Sequence, residues 1–160
     1  MYKAAVITVS DKCCTGERRD TSGPCVAKML AEAGFEVIYT GLVPDEREMI
    51  AAELVKCSDR LGAQLVVSTG GTGLSPRDVS PEATRDVIER EIPAIPAAML
   101  HYSLQITPRA MLSRAVAGVR GGTLIVNLPG SEKAARENLA AVIDALGHGI
   151  QMLGGGGHGN

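Results

Sequence analysis

The sequence predicts an α/β fold: a three-layer sandwich with a mostly parallel central sheet flanked by helices, plus a β-hairpin. Three observations lead there. Apolar runs at 4–9, 35–43 and 65–68 alternate with stretches of helical period, the order in which crossover helices join parallel strands. A glycine-rich segment, Gly70-Gly71-Thr72-Gly73, directly follows the third run and so stands at the carboxyl end of a buried strand. At 160 residues the chain is long enough for one domain with a substantial core and too short to argue for two.

Each element has its own signal. Residues 4–9 are a largely apolar run, the pattern of a buried strand. Pro24 opens a helix with Val26, Met29, Leu30 and Ala33 on its apolar face, and Gly34 ends it. Residues 35–43 form the second strand. A helix over 45–62 carries Ile50, Leu54, Cys57 and Leu61 on one face, and 65–68 is the third strand. Ser80 is the expected N-cap of a helix over 81–90, with Pro81 first in the helix and Glu82 an acid in its first turn. Another helix spans 95–104, its start punctuated by Pro93 and Pro96. Residues 113–119 and 123–128, separated by Arg120-Gly121-Gly122, read as a hairpin. The last helix runs over 131–153 with Leu139, Val142, Ile143, Leu146, Ile150 and Leu153 inward. The expected domain is therefore 1–153, and 154–160 is expected to be a flexible glycine-rich tail.

Composition excludes several classes of function. Hydrophobic residues make up 45% and charged residues 21%, and the formal charge of −2 gives no electrostatic case for nucleic acid or an anionic membrane. No run reaches the roughly 18 apolar residues of a membrane helix. The N-terminus enters a strand pattern directly, without a signal peptide, so a cytoplasmic protein is expected. Cys13, Cys14, Cys25 and Cys57 form no CxxC pair or metal-ligand set, and His101, His148 and His158 are scattered.

The glycine segment is the place to look for chemistry. Three glycines among four residues let the backbone turn sharply and approach a ligand, and amides converging with a helix start suit a phosphate. It is not a Walker A motif, because no Gly-Lys-Ser/Thr follows, and it lacks the GxGxxG spacing of a dinucleotide site. A tight left-handed turn alone would explain the glycines; Thr72, Arg77 and Asp78 beside them tilt the balance toward a binding site. Elsewhere the structural explanations are stronger. Asp45 with Glu48 fits a capping box, Pro129-Gly130-Ser131 fits a turn and N-cap, and Ser10-Asp11 fits a local turn. Asp78 is harder to explain that way, because it precedes Ser80, the better cap. All these junctions fall beside strand ends at one edge of the sheet, where ligands bind in open α/β sheets.

The segments Thr8-Val9-Ser10-Asp11, Asp20-Thr21-Ser22-Gly23-Pro24, Val43-Pro44-Asp45-Glu46, the block from Gly70 to Thr84, Ser103-Leu104-Gln105-Ile106-Thr107-Pro108 and Asn127-Leu128-Pro129-Gly130-Ser131 stand in the order and spacing of a known family. From about Tyr2 to Leu153 the chain resembles the molybdopterin-binding domain family: molybdopterin adenylyltransferases of the Mog type, the G domain of gephyrin, and MoaB proteins. Ser80 and Ser131 stand where other members often carry Thr and Asn or Gln. The resemblance implies molybdenum-cofactor synthesis, in which molybdopterin attacks Mg-ATP to give adenylylated molybdopterin and pyrophosphate. It implies that Asp45 and Asp78 hold Mg²⁺ on the triphosphate, directly or through water. Gly70, Gly71, Thr72 and Gly73 would bind phosphate, Ser10, Thr72 and Ser103 would meet molybdopterin, and Gly130 and Ser131 would complete the pocket. A homotrimer, and a molybdenum insertase that receives the product, are implied in the same way. A non-catalytic molybdopterin binder or carrier is the alternative; a scaffold module and a nicotinamide enzyme are weaker ones.

Overall fold

The computed structural model describes residues 1–155. Six strands form one sheet in the order β2-β1-β3-β6-β5-β4. They are β1 (Lys3–Val9), β2 (Glu36–Val43), β3 (Leu65–Thr69), β4 (Arg90–Glu91), β5 (Ala117–Arg120) and β6 (Thr123–Leu128). β2, β1, β3 and β6 are mutually parallel, and β5 runs antiparallel to both β6 and β4. The α/β expectation, with a mostly parallel sheet and a β-hairpin, is met.

Alternation along the strands divides the core in two. Ala4 and Val6 of β1, Leu65 and Val67 of β3, and Leu124 and Val126 of β6 face one side. There they meet Val26 and Leu30 of α2 (Ser22–Glu32) and Leu139, Leu146 and Ile150 of α6 (Glu132–Leu153), with Met99 of α5 (Ala94–Leu104) packed behind. Ala5, Ile7, Val66 and Ile125 face the other side, against Ile50 and Leu54 of α3 (Arg47–Val55) and Ala83 and Val87 of α4 (Ser80–Val87). Each such Leu, Ile or Val contributes about 1.5–3 kcal/mol by leaving water. A one-residue slip of β1 would swap its two faces, so this pattern also sets the register Ala4↔Leu65 and Val6↔Val67.

Several boundaries differ from expectation for physical reasons. The helix expected over 45–62 starts at Arg47 and widens into a π-turn over Lys56–Arg60, closed by the Leu61 N–H donating to the Lys56 carbonyl at 2.9 Å. The wider turn rotates Leu61 off the apolar face, leaving it exposed while Ile50, Leu54 and Cys57 are buried. The helix expected over 81–90 ends at Val87, because Glu89 and Ile92 donate to the Val119 and Ala117 carbonyls and draw the segment onto β5. α2 starts two residues before Pro24, its first turn capped by the Asp20 carboxylate accepting from the Gly23 N–H at 3.0 Å. Two short elements were not expected as such: α1 (Asp11–Thr15), where the sequence offered only a local turn at Ser10-Asp11, and a 3₁₀ turn at Pro108–Leu112. Of the expected tail, Gly154 and Gly155 form a turn after α6, and the rest lies outside the described residues.

Asn127 joins the layers. It is fully buried; its side-chain carbonyl accepts from the Val116 N–H at 3.0 Å, and its amide donates to the Ser68 and Thr84 hydroxyls at 3.0 and 2.9 Å. Asn127→Leu leaves those three groups without their partner in the core. The expected loss is at least about 3 kcal/mol, measured as a lower urea midpoint at unchanged slope.

Candidate active site

The parallel strands β2, β1, β3 and β6 end at Val43, Val9, Thr69 and Leu128 on one edge of the sheet. The chain leaves β1 for β2 on one side and later fills β3 on the other, so β1 and β3 flank a topological switch point. A cleft of about 700 Å³ opens there.

The glycine loop forms its floor. Gly70 has φ +107°, and a Cβ on it would run into the Val9 carbonyl; Gly71 has φ +72°. Neither position suits an L side chain. Ser80, expected as an N-cap, makes no cap bond. It is the first residue of α4, and its buried hydroxyl donates to the Gly70 carbonyl at 2.8 Å while its N–H donates to the Gly71 carbonyl at 3.0 Å. Thr72 is buried at the cleft wall, and among the described residues its hydroxyl has no hydrogen-bond partner. Gly73 follows it, also lining the cleft.

Three carboxylates gather beside this loop. The Asp11 N–H donates to Asp45 Oδ2 and the Asp45 N–H donates to Asp11 Oδ1, both at 2.9 Å. This reciprocal pair locks the β1 and β2 exits together. It replaces the capping box that Asp45 and Glu48 could have made; Glu46 stands at the cap of α3 and makes no cap bond. The second oxygen of Asp45, Oδ1, is buried without a partner. Burial pushes the Asp45 carboxyl above its ordinary range, and the negative charges of Asp11 and Asp78 add to that. Asp11 is held below its ordinary range by Arg77, whose Nε and Nη2 donate to it at 3.0 Å each. Arg77 also donates to Glu46. The cation next to the glycines thus serves carboxylates. Asp78 accepts the Ser75 N–H on Oδ2 at 3.0 Å and lines the cleft with Asp45.

The remaining expected residues close the other walls. Ser10 caps α1 by accepting the Cys13 N–H, and Ser131 caps α6 by accepting the Ala134 N–H at 3.2 Å. The Gly130 carbonyl accepts the Ser22 hydroxyl at 2.6 Å, and a Cβ on Gly130 would stand 3.3 Å from the Gly70 Cα. Ser103 of α5 accepts from the Asn138 amide at 2.9 Å. All ten residues singled out from the sequence line this one cleft. Sequence reasoning missed Asp11 as the partner of Asp45. It also missed Arg18, Arg19 and Arg109, which line the cleft and, among the described residues, are in no ion pair. No local pattern marks such arginines; only their position on the rim does.

Among the described residues no three or more His, Cys, Asp and Glu side chains are grouped to hold a metal. A magnesium ion on a nucleotide asks for less: one or two carboxylates, with phosphate oxygens and water filling the rest of its octahedron. The orphaned Asp45 oxygen, with Asp78 lining the same cleft, fits that demand.

Comparison with known proteins agrees with this geometry. The family model described as "Probable molybdopterin binding domain" matches residues 5–148. A molybdopterin adenylyltransferase of Helicobacter pylori is 39% identical over 150 residues, covering 92% of this chain and 85% of that protein. The Drosophila melanogaster molybdenum cofactor synthesis protein cinnamon is 42% identical over 151 residues, or 93% of this chain; the match spans only 25% of cinnamon. The crystal structure of the molybdopterin biosynthesis enzyme MoaB from Thermus thermophilus superposes with a TM-score of 0.92 at 49% identity, covering 97% of this chain and 98% of that one. With the match running through nearly every strand, helix and cleft loop, the chain belongs to the molybdopterin-binding domain family.

Proposed function

We propose that this chain is a molybdopterin adenylyltransferase of molybdenum-cofactor synthesis, acting on molybdopterin and ATP with Mg²⁺. One observation carries the reading: a buried carboxylate oxygen, Asp45 Oδ1, left without a partner beside a glycine loop. A carboxylate is desolvated in that way at a cost of several kcal/mol unless a cation comes to it. A carrier that only bound molybdopterin would need no metal for triphosphate chemistry, so the pair Asp45 and Asp78 on one cleft favours catalysis.

In the reaction an oxygen of the terminal phosphate of molybdopterin bonds to the α-phosphorus of ATP, and the bond from that phosphorus to the bridging oxygen of pyrophosphate breaks. The nucleophile is a phosphate monoester with a second pKa near ~6, already mostly dianionic at neutral pH, so no general base is required. The barrier lies in bringing two polyanions together. Bound Mg²⁺ supplies charge neutralisation on the triphosphate, with Asp45 and Asp78 as its holders. The loop 70–73 offers amides and the Thr72 hydroxyl to phosphate, Ser10 and Ser103 face molybdopterin, and Gly130 and Ser131 complete the wall. The cationic rim of Arg18, Arg19 and Arg109 draws the anions in.

A homotrimer and a cytoplasmic location belong to the same proposal, as does a molybdenum insertase that takes the product. No described helix is long and apolar enough to cross a membrane. Self-association is supported by α5 and the segment after it, where Leu100, Tyr102, Leu104 and Ile106 are 36–45% exposed. A helix apolar on all sides is ordinarily buried.

Three outcomes are expected. Light scattering at micromolar concentration returns three times the chain mass; a monomer refutes the assembly. Thr72→Ala folds normally but loses about 1.5–3 kcal/mol of phosphate-ligand affinity by calorimetry. Asp78→Asn folds and binds molybdopterin, yet loses most transfer of AMP to the pterin, measured with pyrophosphate release, and high pH does not rescue it. Near-wild-type turnover in folded Asp78→Asn would remove this residue from the reaction.

A further inference from the structure

Arg114 lies outside the sheet, between the 3₁₀ turn and β5, and has no part in the reaction above. Its bonds nonetheless converge on the loop. Its backbone N–H donates to the Thr72 carbonyl at 2.9 Å. Its guanidinium spans three further acceptors: Nε donates to the Gly73 carbonyl at 2.8 Å, Nη2 to the Asp78 carbonyl at 2.7 Å, and Nη1 to Glu82 Oε2 at 2.6 Å. The first two acceptors stand at either end of the segment 73–78, and the third is on α4. A planar fork with several fixed donors can do this; an ammonium, which is a point charge, cannot.

Two details separate this clamp from ordinary surface pairing. The other bonds of Asp78 among the described residues go to Ser75, through its N–H and Oδ2, so they stay inside the loop and orient it against nothing else. Arg77, next to Asp78, ties the segment to Asp11 and Glu46 through its side chain, and Arg114 is the outside group that bonds Asp78 itself. Glu82, which steadies the guanidinium, has its second oxygen Oε1 buried without a partner, so its place is set by Arg114. Thr72, in contrast, is anchored through the main chain of Arg114, which any side chain at that position would preserve.

We infer that Arg114 is a positioning residue for the metal–nucleotide end of the cleft: its guanidinium fixes where Gly73 and Asp78 sit, while Thr72 is held independently by main chain. The inference rests on the proposed role of Asp78 in serving Mg-ATP.

The test uses the full chain with Arg114→Gln, Arg114→Lys and Glu82→Gln. AMP transfer is followed across a magnesium titration, and binding of molybdopterin alone and thermal unfolding are measured beside it. The expected result for both Arg114 variants is a rise of tenfold or more in the magnesium concentration giving half-maximal rate, with molybdopterin affinity within threefold of wild type. Glu82→Gln shifts the titration in the same direction but less, because its amide oxygen still accepts from Arg114. An unshifted magnesium titration in active Arg114 variants overturns the inference and leaves the proposed function standing. Equal loss of molybdopterin and nucleotide binding, in step with a lower melting temperature, overturns it too, since that is the mark of a merely structural arginine. A wild-type protein without magnesium-dependent transfer overturns the proposed function and the inference together.

Discussion

The contact on which the site depends is the one between Gly70 and the end of β1. The loop after β3 passes so close beneath the Val9 carbonyl that a Cβ at Gly70 would collide with it, and the φ of +107° there would strain an L side chain in any case. That approach brings the exits of β1 and β3 to one point. It leaves the Gly70 carbonyl where the Ser80 hydroxyl reaches it and sets Gly130, after β6, against the Gly70 Cα. Three strand ends thereby share one cleft. A larger residue at Gly70 would part the exits of β1 and β3, and the carboxylates after β1 and β2 would lose their relation to the loop after β3.

Charge is arranged around that floor with a clear division of labour. Arg77 neutralises Asp11, and Asp11 and Asp45 each accept the other's backbone N–H on a carboxylate oxygen, which leaves Asp45 Oδ1 buried without a partner. Arg47, Arg77, Arg85, Arg114, Arg120 and Arg136 are each paired with acids. Of the five arginines in no ion pair among the described residues, Arg18, Arg19 and Arg109 lie on the cleft, while Arg60 and Arg90 do not. A chain with a net charge of −2 can therefore present a locally cationic rim above a locally acidic floor. The proposed substrates, phosphates with a divalent cation, carry charges that match both.

The same loop is held by elements far apart in the sequence. Ser80 fixes its first half from α4, and Arg114 fixes its second half from the entry to β5. Asn127 then ties that entry to β6, β3 and α4 through bonds wholly within the core. The loop is thus braced on both sides by rigid structure, which keeps its amides oriented.

The order of the main strands and helices, the burial of β1 and β3, the hairpin partner β6 and the cleft loops were legible in the amino-acid sequence, because apolar period and glycine tolerance are local properties. So were the ten cleft residues, although for Ser10, Asp45, Gly130 and Ser131 a cap or turn explained the sequence equally well, and Ser10 and Ser131 do cap helices. What only the folded chain decided is pairing at a distance. Asp11 meets Asp45 across 34 residues and Arg114 meets Gly73 across 41, and no periodicity carries such information. Ser80 abandons its cap for the Gly70 carbonyl, and β4 forms at the end of the expected helix, each because a tertiary partner outweighs a local preference of about 1 kcal/mol, while Leu61 is turned outward by a π-turn.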